Sequence, residues 1–364
     1  MPPETLFRYI IARALTAIGA LYLMLASLIF LIDVIENLRF AGKYDAAGPG
    51  LAAAITLLRT PSLVQALTPF IFLFASIWTF TQLNRRSEIA VMRSAGLSVW
   101  RLIGPQALLA AVFGLLLVFF IDPLAARLAS QADAMRDAVR GKSSSLVRVL
   151  GDGIWLRQRA PNSVVIIRAD TYDPAERALE NVTVWRLGLD HAFRERIDAP
   201  AALLRDSTLE MREAAVKTTD ARFDQQAPLY AFATSLSPRD FTERVEPPET
   251  MAIWRLPRFA ALAEAAGLPT VRYHLRFHEL CSTPLKLIVM VLIAALCALR
   301  PWRSGAGFSL ALMSIGAGFA LYVLSELFVA LGESGVAPLA LAAWSPTLIA
   351  ALVACAGLLQ VEDG

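Results

Sequence analysis

Two sets of long apolar segments, one in each half of the chain, constrain the fold more than any other feature. A helix that crosses the hydrocarbon core of a bilayer needs about 20 mostly apolar residues. Six segments meet this requirement: residues 10–35, 63–83, 102–121, 275–299, 307–331 and 339–359. Hydrophobic residues make up 56% of the 364 positions, which exceeds the roughly 45–50% apolar usage of soluble domains. The sequence therefore predicts an α-helical membrane protein with six spans, three on each side of a middle segment.

The middle segment, residues 122–272, carries most of the charge and has a different pattern. Short runs rich in β-branched and aromatic residues alternate there with Pro, Gly, Asn and Asp, which is typical of an antiparallel sandwich or jelly roll. The runs are residues 146–150, 153–158, 163–169, 181–187, 214–218 and 229–234. Residues 125–139 and 257–266 are predicted to be helical.

Three parts follow from these patterns. Residues 1–121 hold the first three spans and a short helix at about 86–98, residues 122–272 form an inserted antiparallel β domain, either a sandwich or a jelly roll, and residues 273–364 hold the last three spans. Alternate positions of the predicted strands point to one face of a sheet, where they either line an open groove or fill a closed core. These apolar positions are Ile154, Leu156, Val165, Ile167, Val182 and Val184.

Short loops indicate the orientation, because loops on the cytoplasmic side carry an excess of Lys and Arg. The loop after the second span carries Arg85, Arg86, Arg93 and Arg101, whereas the loop around Glu333 carries no Lys or Arg. With six spans, both termini are then expected in the cytoplasm and the β domain on the outer side.

Several chemistries lack a sequence signal. The net charge of +3 gives no reason to expect nucleic acid as a partner. Gly141–Ser143 resembles the end of a phosphate-binding loop, but Arg136 stands where that motif requires Gly. His274 and His278 share one helix face without an obvious third metal ligand. We therefore expect no catalytic residue, no cofactor and no metal site.

The loop after the second span contains a candidate helix, residues 87–98. Ser87 suits an N-cap, Glu88 follows it, and Gly96 suits a stop. Ile89 and Met92 lie on one side of this helix. An amphipathic helix lying on the lipid surface is the alternative interpretation.

Basic residues recur near the outer ends of the spans, and as a group they are candidates for a functional site. Arg39 and Lys43 follow the first span, Arg136 and Arg140 follow the third, and Lys286 lies in the outer third of the fourth. Ordinary anchoring at the membrane interface is the alternative for each residue. Glu326, near the outer end of the fifth span, is a further candidate because ionisable residues inside spans are often functional.

Several short segments along the chain match one known family of proteins. The most specific match is RSEIAVMRSAG at residues 86–96. Weaker matches occur in the same order as in the family: TLFRYI at 5–10, YDA at 44–46, GIWLR at 153–157, Pro284, residues 300–305, GFALYV at 318–323, WSP at 344–346 and EDG at 362–364. Through these segments the whole chain resembles the LptF/LptG permeases of the lipopolysaccharide-export ABC transporter of Gram-negative bacteria, and it is closer to the LptG branch.

The resemblance implies a fold of three helices, a periplasmic β-jellyroll and three helices, which agrees with the patterns above. It also implies a transport subunit that extracts lipopolysaccharide from the inner membrane and passes it to a periplasmic jellyroll bridge. The implied partners are an LptF-like permease, an LptB-like ATPase dimer, an LptC-like single-span regulator and an LptA-like periplasmic jellyroll. ATP hydrolysis would belong to the ATPase partner.

The resemblance also assigns roles to residues. Glu88, Arg86, Met92 and Arg93 lie in the segment that matches the coupling helix of the family, which contacts the ATPase. Arg39, Lys43, Arg136 and Arg140 match basic positions near the substrate. Some relatives carry a Lys shortly before the proline that matches Pro284, where this chain has Leu280. If that Lys contacts the substrate, either Arg276 or Lys286 replaces it here or the contact is absent.

Two other roles stay open at this point. The chain could fill the paralogous LptF position in the same complex, or it could be a membrane receptor or scaffold that presents a β domain. A lipid-modifying enzyme is disfavoured because no acid–base motif is present.

Overall fold

The computed structural model describes residues 3–43, 48–139, 146–150, 153–160, 163–173, 176–188, 192–205, 208–218, 225–234, 247–299 and 307–363. The chain divides into two units. A helical unit comprises Met1–Ala132 and Leu275–Gly364, and a second unit comprises Asp133–His274.

Ten α-helices and one π-helical segment are found in the described part of the chain. The first half contains α1 (Pro3–Ala41), α2 (Pro49–Ala66), α3 (Thr68–Arg85), α4 (Glu88–Ser94), α5 (Val99–Leu116), the π segment (Leu117–Ile121) and α6 (Asp122–Val139). The second half contains α7 (Leu256–Ala265), α8 (Val271–Ala298), α9 (Gly307–Glu333) and α10 (Leu339–Asp363).

Five of the described helices are long and apolar enough to cross a membrane, and six are if α2 and α3 count as one bent span. The helices α2 and α3 meet at a 62° bend around Leu67. Pro69 stands in the first turn of α3, and it lacks the N–H that a continuous helix would direct at the carbonyl of Gln65. The predicted second span, residues 63–83, is therefore broken near its beginning.

The core of the helical unit lies around α3 and α8. The apolar window of α8 is 61% buried, whereas that of α1 is only 6% buried. Phe72, Phe80 and Leu83 of α3 pack in one cluster with Leu287 and Val289 of α8. Close packing also joins α5 to α8, since a Cβ at Gly114 would lie 2.5 Å from the Cα of Pro284.

The second unit is built on an antiparallel sheet, as predicted. Its strands are β1 (Leu146–Leu150), β2 (Gly153–Ala160), β3 (Ser163–Ala169), β4 (Thr171–Asp173), β5 (Ala178–Leu187), β6 (Phe193–Arg205), β7 (Thr208–Thr218) and β8 (Gln225–Ala233). The order is β1-β2-β3-β5-β6-β7-β8, with β4 also paired to β5, so nearly all neighbours are consecutive in the chain. The sheet is not closed, and the finer jelly-roll arrangement stays a prediction. The strands β4 and β6 were not predicted from the sequence.

One face of this sheet carries a continuous apolar row. Leu156, Ile167, Val184, Ile197 and Val216 are successive cross-strand partners from β2 to β7. None of these side chains is more than 8% exposed. Cross-strand contacts of this kind stabilise a sheet and fix its register. All six positions named in the sequence as groove or core are at most 1% exposed, so here they fill the interior of the unit.

The helix α7, predicted at residues 257–266, docks on the sheet through its C-terminal turn. The amide of Tyr172 donates to the carbonyl of Ala266 at 3.0 Å. The next residue, Gly267, has φ +74° and lies so close to Tyr172 that a Cβ would collide with its carbonyl oxygen. Glycine is required at this position for both reasons.

Candidate functional sites

The short helix α4 corresponds to the candidate helix of the sequence, but its beginning differs from the expectation. Ser87 occupies the N-cap position in a left-handed conformation, φ +57°, and its hydroxyl makes no capping hydrogen bond. The predicted stop is confirmed, because Gly96 has φ +81° and the amides of Gly96 and Leu97 donate to the carbonyls of Arg93 and Met92. These two bonds form a Schellman motif.

The carboxylate of Glu88, the first residue of α4, contacts the N-terminal part of α1. The hydroxyl of Tyr9 donates to both carboxylate oxygens, at 2.9 Å and 3.1 Å. Arg13 places a guanidinium nitrogen 4.0 Å from Glu88, and its guanidinium also lies 4.8 Å from the centre of the Tyr9 ring. The Glu88 side chain remains 25% exposed, so it is accessible despite these contacts.

The other residues assigned to coupling lie in different environments. Arg86 is exposed, and Met92 is half-buried against the core of the helical unit. Arg93 donates from its guanidinium to the carbonyl of Val361 in α10 at 3.0 Å. Ile89, which shares the inner side of α4 with Met92, is only 4% exposed. The helix therefore packs on the bundle with one side and presents the other.

Further contacts bring several helix ends together around α4. The side-chain amide of Asn84 donates to the carbonyl of Ala298 at the end of α8. The carboxylate of Glu362, in α10, accepts from the amide of Val99 at the start of α5 at 2.7 Å. The start of α1 and the ends of α8 and α10 thus lie at the same end of the helical unit as the loop between α3 and α5.

The basic residues proposed from the sequence lie in different parts of the described chain. Arg39 and Lys43 are exposed at the end of α1, and Lys286 is half-buried in α8 of the same unit. Arg136 is half-buried in the last turn of α6 and belongs to the second unit. Arg140 lies outside the described residues. Their common role in holding a lipid head therefore stays a prediction.

Two acidic residues accompany Lys286 in the apolar helices of this unit. Glu279 lies two helical turns earlier in α8, and Glu326 is exposed in α9. Ionisable residues inside membrane segments are often functional, and the role of Glu326 stays a prediction.

A buried polar cluster that the sequence did not predict joins three segments of the helical unit. The Asp122 side chain is 3% exposed, and Arg276 of α8 donates to its Oδ1 at 2.9 Å. Gln65 of α2 donates to the same oxygen at 2.7 Å. The second carboxylate oxygen of Asp122 and the Nε of Arg276 are buried without a hydrogen-bond partner. Neither Asp122 nor Gln65 was named from the sequence, and Arg276 was considered only as a substitute for a missing Lys.

Local irregularities place this cluster. The π segment directly precedes Asp122, and the amide of Asp122 donates to the carbonyl of Leu117, five residues earlier. Gln65 stands two residues before the bend at Leu67. A carboxylate at the end of an apolar run, followed by Pro123, is the sequence signal that could have identified this cluster.

Metal binding finds no support among the described residues, which contain no group of three or more His, Cys, Asp or Glu side chains suited to an ion. His274 and His278 are both half-buried near the start of α8. The side chains described around α4 and around Asp122 instead form ion pairs and hydrogen bonds between helices.

The geometry defines a class of protein: a multi-pass helical membrane protein in which long apolar helices come before and after an antiparallel β unit in the chain. Comparison with protein families then identifies the family. The chain belongs to the LptF/LptG family, because the family described as "Lipopolysaccharide export system permease LptF/LptG" matches residues 8–360. The resemblance stated from the sequence is thereby confirmed.

Curated relatives agree with this assignment. The chain is 25% identical to the lipopolysaccharide export system permease protein LptG of Escherichia coli strain K12, over 99% of this chain and 97% of the relative. It is 24% identical to the protein of the same name from Haemophilus influenzae, over 92% of this chain and 91% of the relative. With its long apolar helices, the chain is a multi-pass inner membrane protein of this family.

Proposed function

We propose that this chain is the LptG-type permease of an ATP-driven lipopolysaccharide exporter. It extracts lipopolysaccharide from the inner membrane and passes it through its β unit to a periplasmic jellyroll bridge. The family match over residues 8–360, on a chain with helices on both sides of a β unit, carries the proposal. The matched relatives are named LptG, which favours this role over the LptF position.

The proposed complex contains an LptF-like permease as the second half of a heterodimer and an LptB-like ATPase dimer in the cytoplasm. An LptC-like single-span regulator and an LptA-like periplasmic jellyroll continue the lipid path. The permease itself hydrolyses no ATP in this scheme, and it works as a transport subunit without a catalytic residue.

The proposed orientation has both termini in the cytoplasm and the β unit in the periplasm. The excess of Arg in the loop between α3 and α5 supports this orientation. The contacts of α4 with the start of α1 and the end of α10 also support it, since six crossings bring these parts to one side.

Energy transfer is proposed to occur at α4. The accessible carboxylate of Glu88 and the exposed Arg86 just before the helix are offered to the ATPase, while the inner side of α4 packs on the helical unit through Ile89 and Met92. A carboxylate in the first turn of a helix is stabilised by the helix dipole, by roughly 0.3–1 kcal/mol. Glu88 therefore suits its position at the start of α4, from where it can face an arginine of the partner.

Substrate holding is proposed for the basic residues. Single exposed ion pairs contribute only about 0–1 kcal/mol, so several cations must act on the lipid phosphates together. The residues proposed for this role are Arg39, Lys43, Arg136, Arg140 and Lys286.

A reconstituted complex tests the proposal. The chain is purified with the LptF-like and LptB-like partners, and ATP turnover and transfer of lipopolysaccharide to the jellyroll acceptor are measured. Glu88→Lys should impair assembly with the ATPase or ATP turnover while the protein still inserts and folds. Glu264→Lys, an exposed substitution on α7 of the second unit, is the matched control and should behave like the unsubstituted protein.

Two results would contradict the proposal. A chain that assembles with no ATPase would be a receptor or scaffold, because such a protein needs no nucleotide-driven partner. Normal assembly and normal substrate-stimulated ATP turnover in the Glu88→Lys complex would remove the coupling role of α4.

A further inference from the structure

We propose that Tyr9 in α1 and Glu362 in α10 are positioning residues that hold α4 in the orientation in which Glu88 meets the ATPase. The inference rests on the coupling role proposed for α4. It adds that contacts from α1 and α10 orient the helix, in addition to the packing of its own Ile89 and Met92.

The helix α4 needs such support because its own structure supplies little. It has only seven residues, and its N-cap Ser87 makes no side-chain capping bond. Isolated helices shorter than about 12–15 residues are marginal in water, so a helix of this length depends on tertiary contacts. Its orientation must therefore be set by the groups that it touches.

Tyr9 orients the side chain of Glu88, the first residue of α4. One hydroxyl that contacts both oxygens of Glu88, at 2.9 Å and 3.1 Å, restricts rotation of the carboxylate. The ring of Tyr9 is itself held by the guanidinium of Arg13 at 4.8 Å. An ionised carboxylate has about four acceptor positions, so a single hydroxyl leaves capacity for an arginine of a partner. Tyr9 can thus orient Glu88 without blocking it.

Glu362 contacts the start of α5, the helix that follows α4 in the chain. Its carboxylate accepts from the amide of Val99, the first residue of α5, at 2.7 Å. This amide is one of the donors that a helix leaves unsatisfied at its N-terminus, and a carboxylate there is favoured by the helix dipole. The neighbouring residue Val361 accepts from Arg93 of α4 at 3.0 Å. The last turn of α10 therefore holds both α4 and the helix that follows it.

The consequence is that a shift of α1 or α10 changes the position of Glu88 directly. Removing the Tyr9 hydroxyl should weaken coupling while the packing of the ring is kept. Hydrogen bonds to charged groups are stronger than those between neutral groups, and the 25% exposure of Glu88 weakens this one. We expect on the order of a 10-fold loss in the affinity of the ATPase for the permease, because about 1.4 kcal/mol corresponds to a factor of ten.

The test uses the full permease–ATPase complex and a double-substitution cycle. ATPase affinity and ATP turnover are measured for Tyr9→Phe, for Glu88→Ala and for both together. Glu88→Ala removes both acceptors of the Tyr9 hydroxyl, so if Tyr9 acts through Glu88, Tyr9→Phe should have little further effect in its presence. Tyr322→Phe is the matched control, since Tyr322 is an exposed tyrosine of α9 whose ring packs on Phe70. Thermal unfolding of each variant shows that the fold is retained.

Glu362 is tested by a conservative rescue. Glu362→Gln keeps an oxygen that can accept from the amide of Val99, so it should retain most of the coupling. Glu362→Ala removes the acceptor and should lower ATPase affinity several-fold.

The outcomes separate this inference from the coupling role itself. If Glu88→Ala and Glu88→Lys both leave assembly and turnover unchanged, the coupling role fails. If Glu88 matters but Tyr9→Phe equals the unsubstituted protein, the positioning role of Tyr9 is refuted. An equal loss from Tyr9→Phe with and without Glu88→Ala would refute it as well, since Tyr9 would then act through another contact. Equal behaviour of Glu362→Gln and Glu362→Ala would refute the role of Glu362.

Discussion

Replacing Arg276 by Met leaves the buried carboxylate of Asp122 without its cation. Asp122 is 3% exposed, and Gln65 would be its one remaining partner among the described side-chain hydrogen bonds. Removing one partner of a buried ion pair costs about 3–5 kcal/mol, because the remaining charge stays out of water. Arg276 itself is 26% exposed, so part of the pair is already solvated, and we expect a loss of about 3 kcal/mol in stability.

The opposite substitution should cost less. After Asp122→Leu the guanidinium of Arg276 can turn toward water, because it is the more exposed partner. The double substitution Asp122→Leu with Arg276→Met removes both charges and fills the site with apolar groups, and such replacements are often neutral or stabilising. The expected order of stability is therefore double substitution, then Asp122→Leu, then Arg276→Met.

Thermal unfolding of the purified protein in detergent measures this order. Arg59→Met is the matched control, because Arg59 pairs with Asp33 at 3.5 Å with side chains 27% and 12% exposed. Such partly exposed pairs contribute roughly 0–1 kcal/mol, so this control should lower the melting temperature only slightly. Equal losses for Arg276→Met and Arg59→Met, or a double substitution less stable than Arg276→Met, would refute the reasoning.

Three further predictions concern packing, substrate and the β unit. Gly114→Ala should lower the stability of the protein by about 1–3 kcal/mol, since its Cβ would meet the backbone of Pro284. Gly104→Ala should not lower it, because the space around that position is open. Unfolding measurements that rank the two variants equally would contradict this. Single Ala substitutions of the basic residues should reduce lipid crosslinking only slightly, whereas replacing Arg39, Lys43, Arg136 and Arg140 together should reduce it severely. Unchanged export in the combined variant would exclude these residues as the site that holds the lipid head. A photocrosslinker at Ile167 should yield ATP-dependent lipid adducts in the reconstituted complex if the β unit opens to lipid, and none if its apolar row remains a closed core.

The sequence predicts the fold well where patterns are long or regular. Helices α8 to α10 follow from hydropathy, and β1 and β3 agree with their predicted bounds. The strand β6 was missed because its buried positions are partly alanines, such as Ala199 and Ala202, and Pro200 interrupts its alternation. Small side chains give a weak periodic signal, and only pairing with two long neighbours makes the segment a strand.

The sites were less predictable than the fold. The sequence identified α4, including its stop at Gly96, because capping signals are local. It did not identify the bond from Tyr9 to Glu88, which joins residues 79 positions apart. The cluster of Asp122, Gln65 and Arg276 was missed for the same reason, since its members come from three separate segments and meet only after the helices pack.

The π segment before Asp122 determines the direction in which this residue points from the helix axis. Each residue of an α-helix turns the chain by about 100°, and a π segment behaves as one residue added to an α-helical turn. If these five residues formed α-helical hydrogen bonds instead, the helix after them would be rotated by roughly that angle, and the carboxylate of Asp122 would turn with it. The wide π turn absorbs the extra residue, so the direction of Asp122 toward Arg276 and Gln65 depends on this turn.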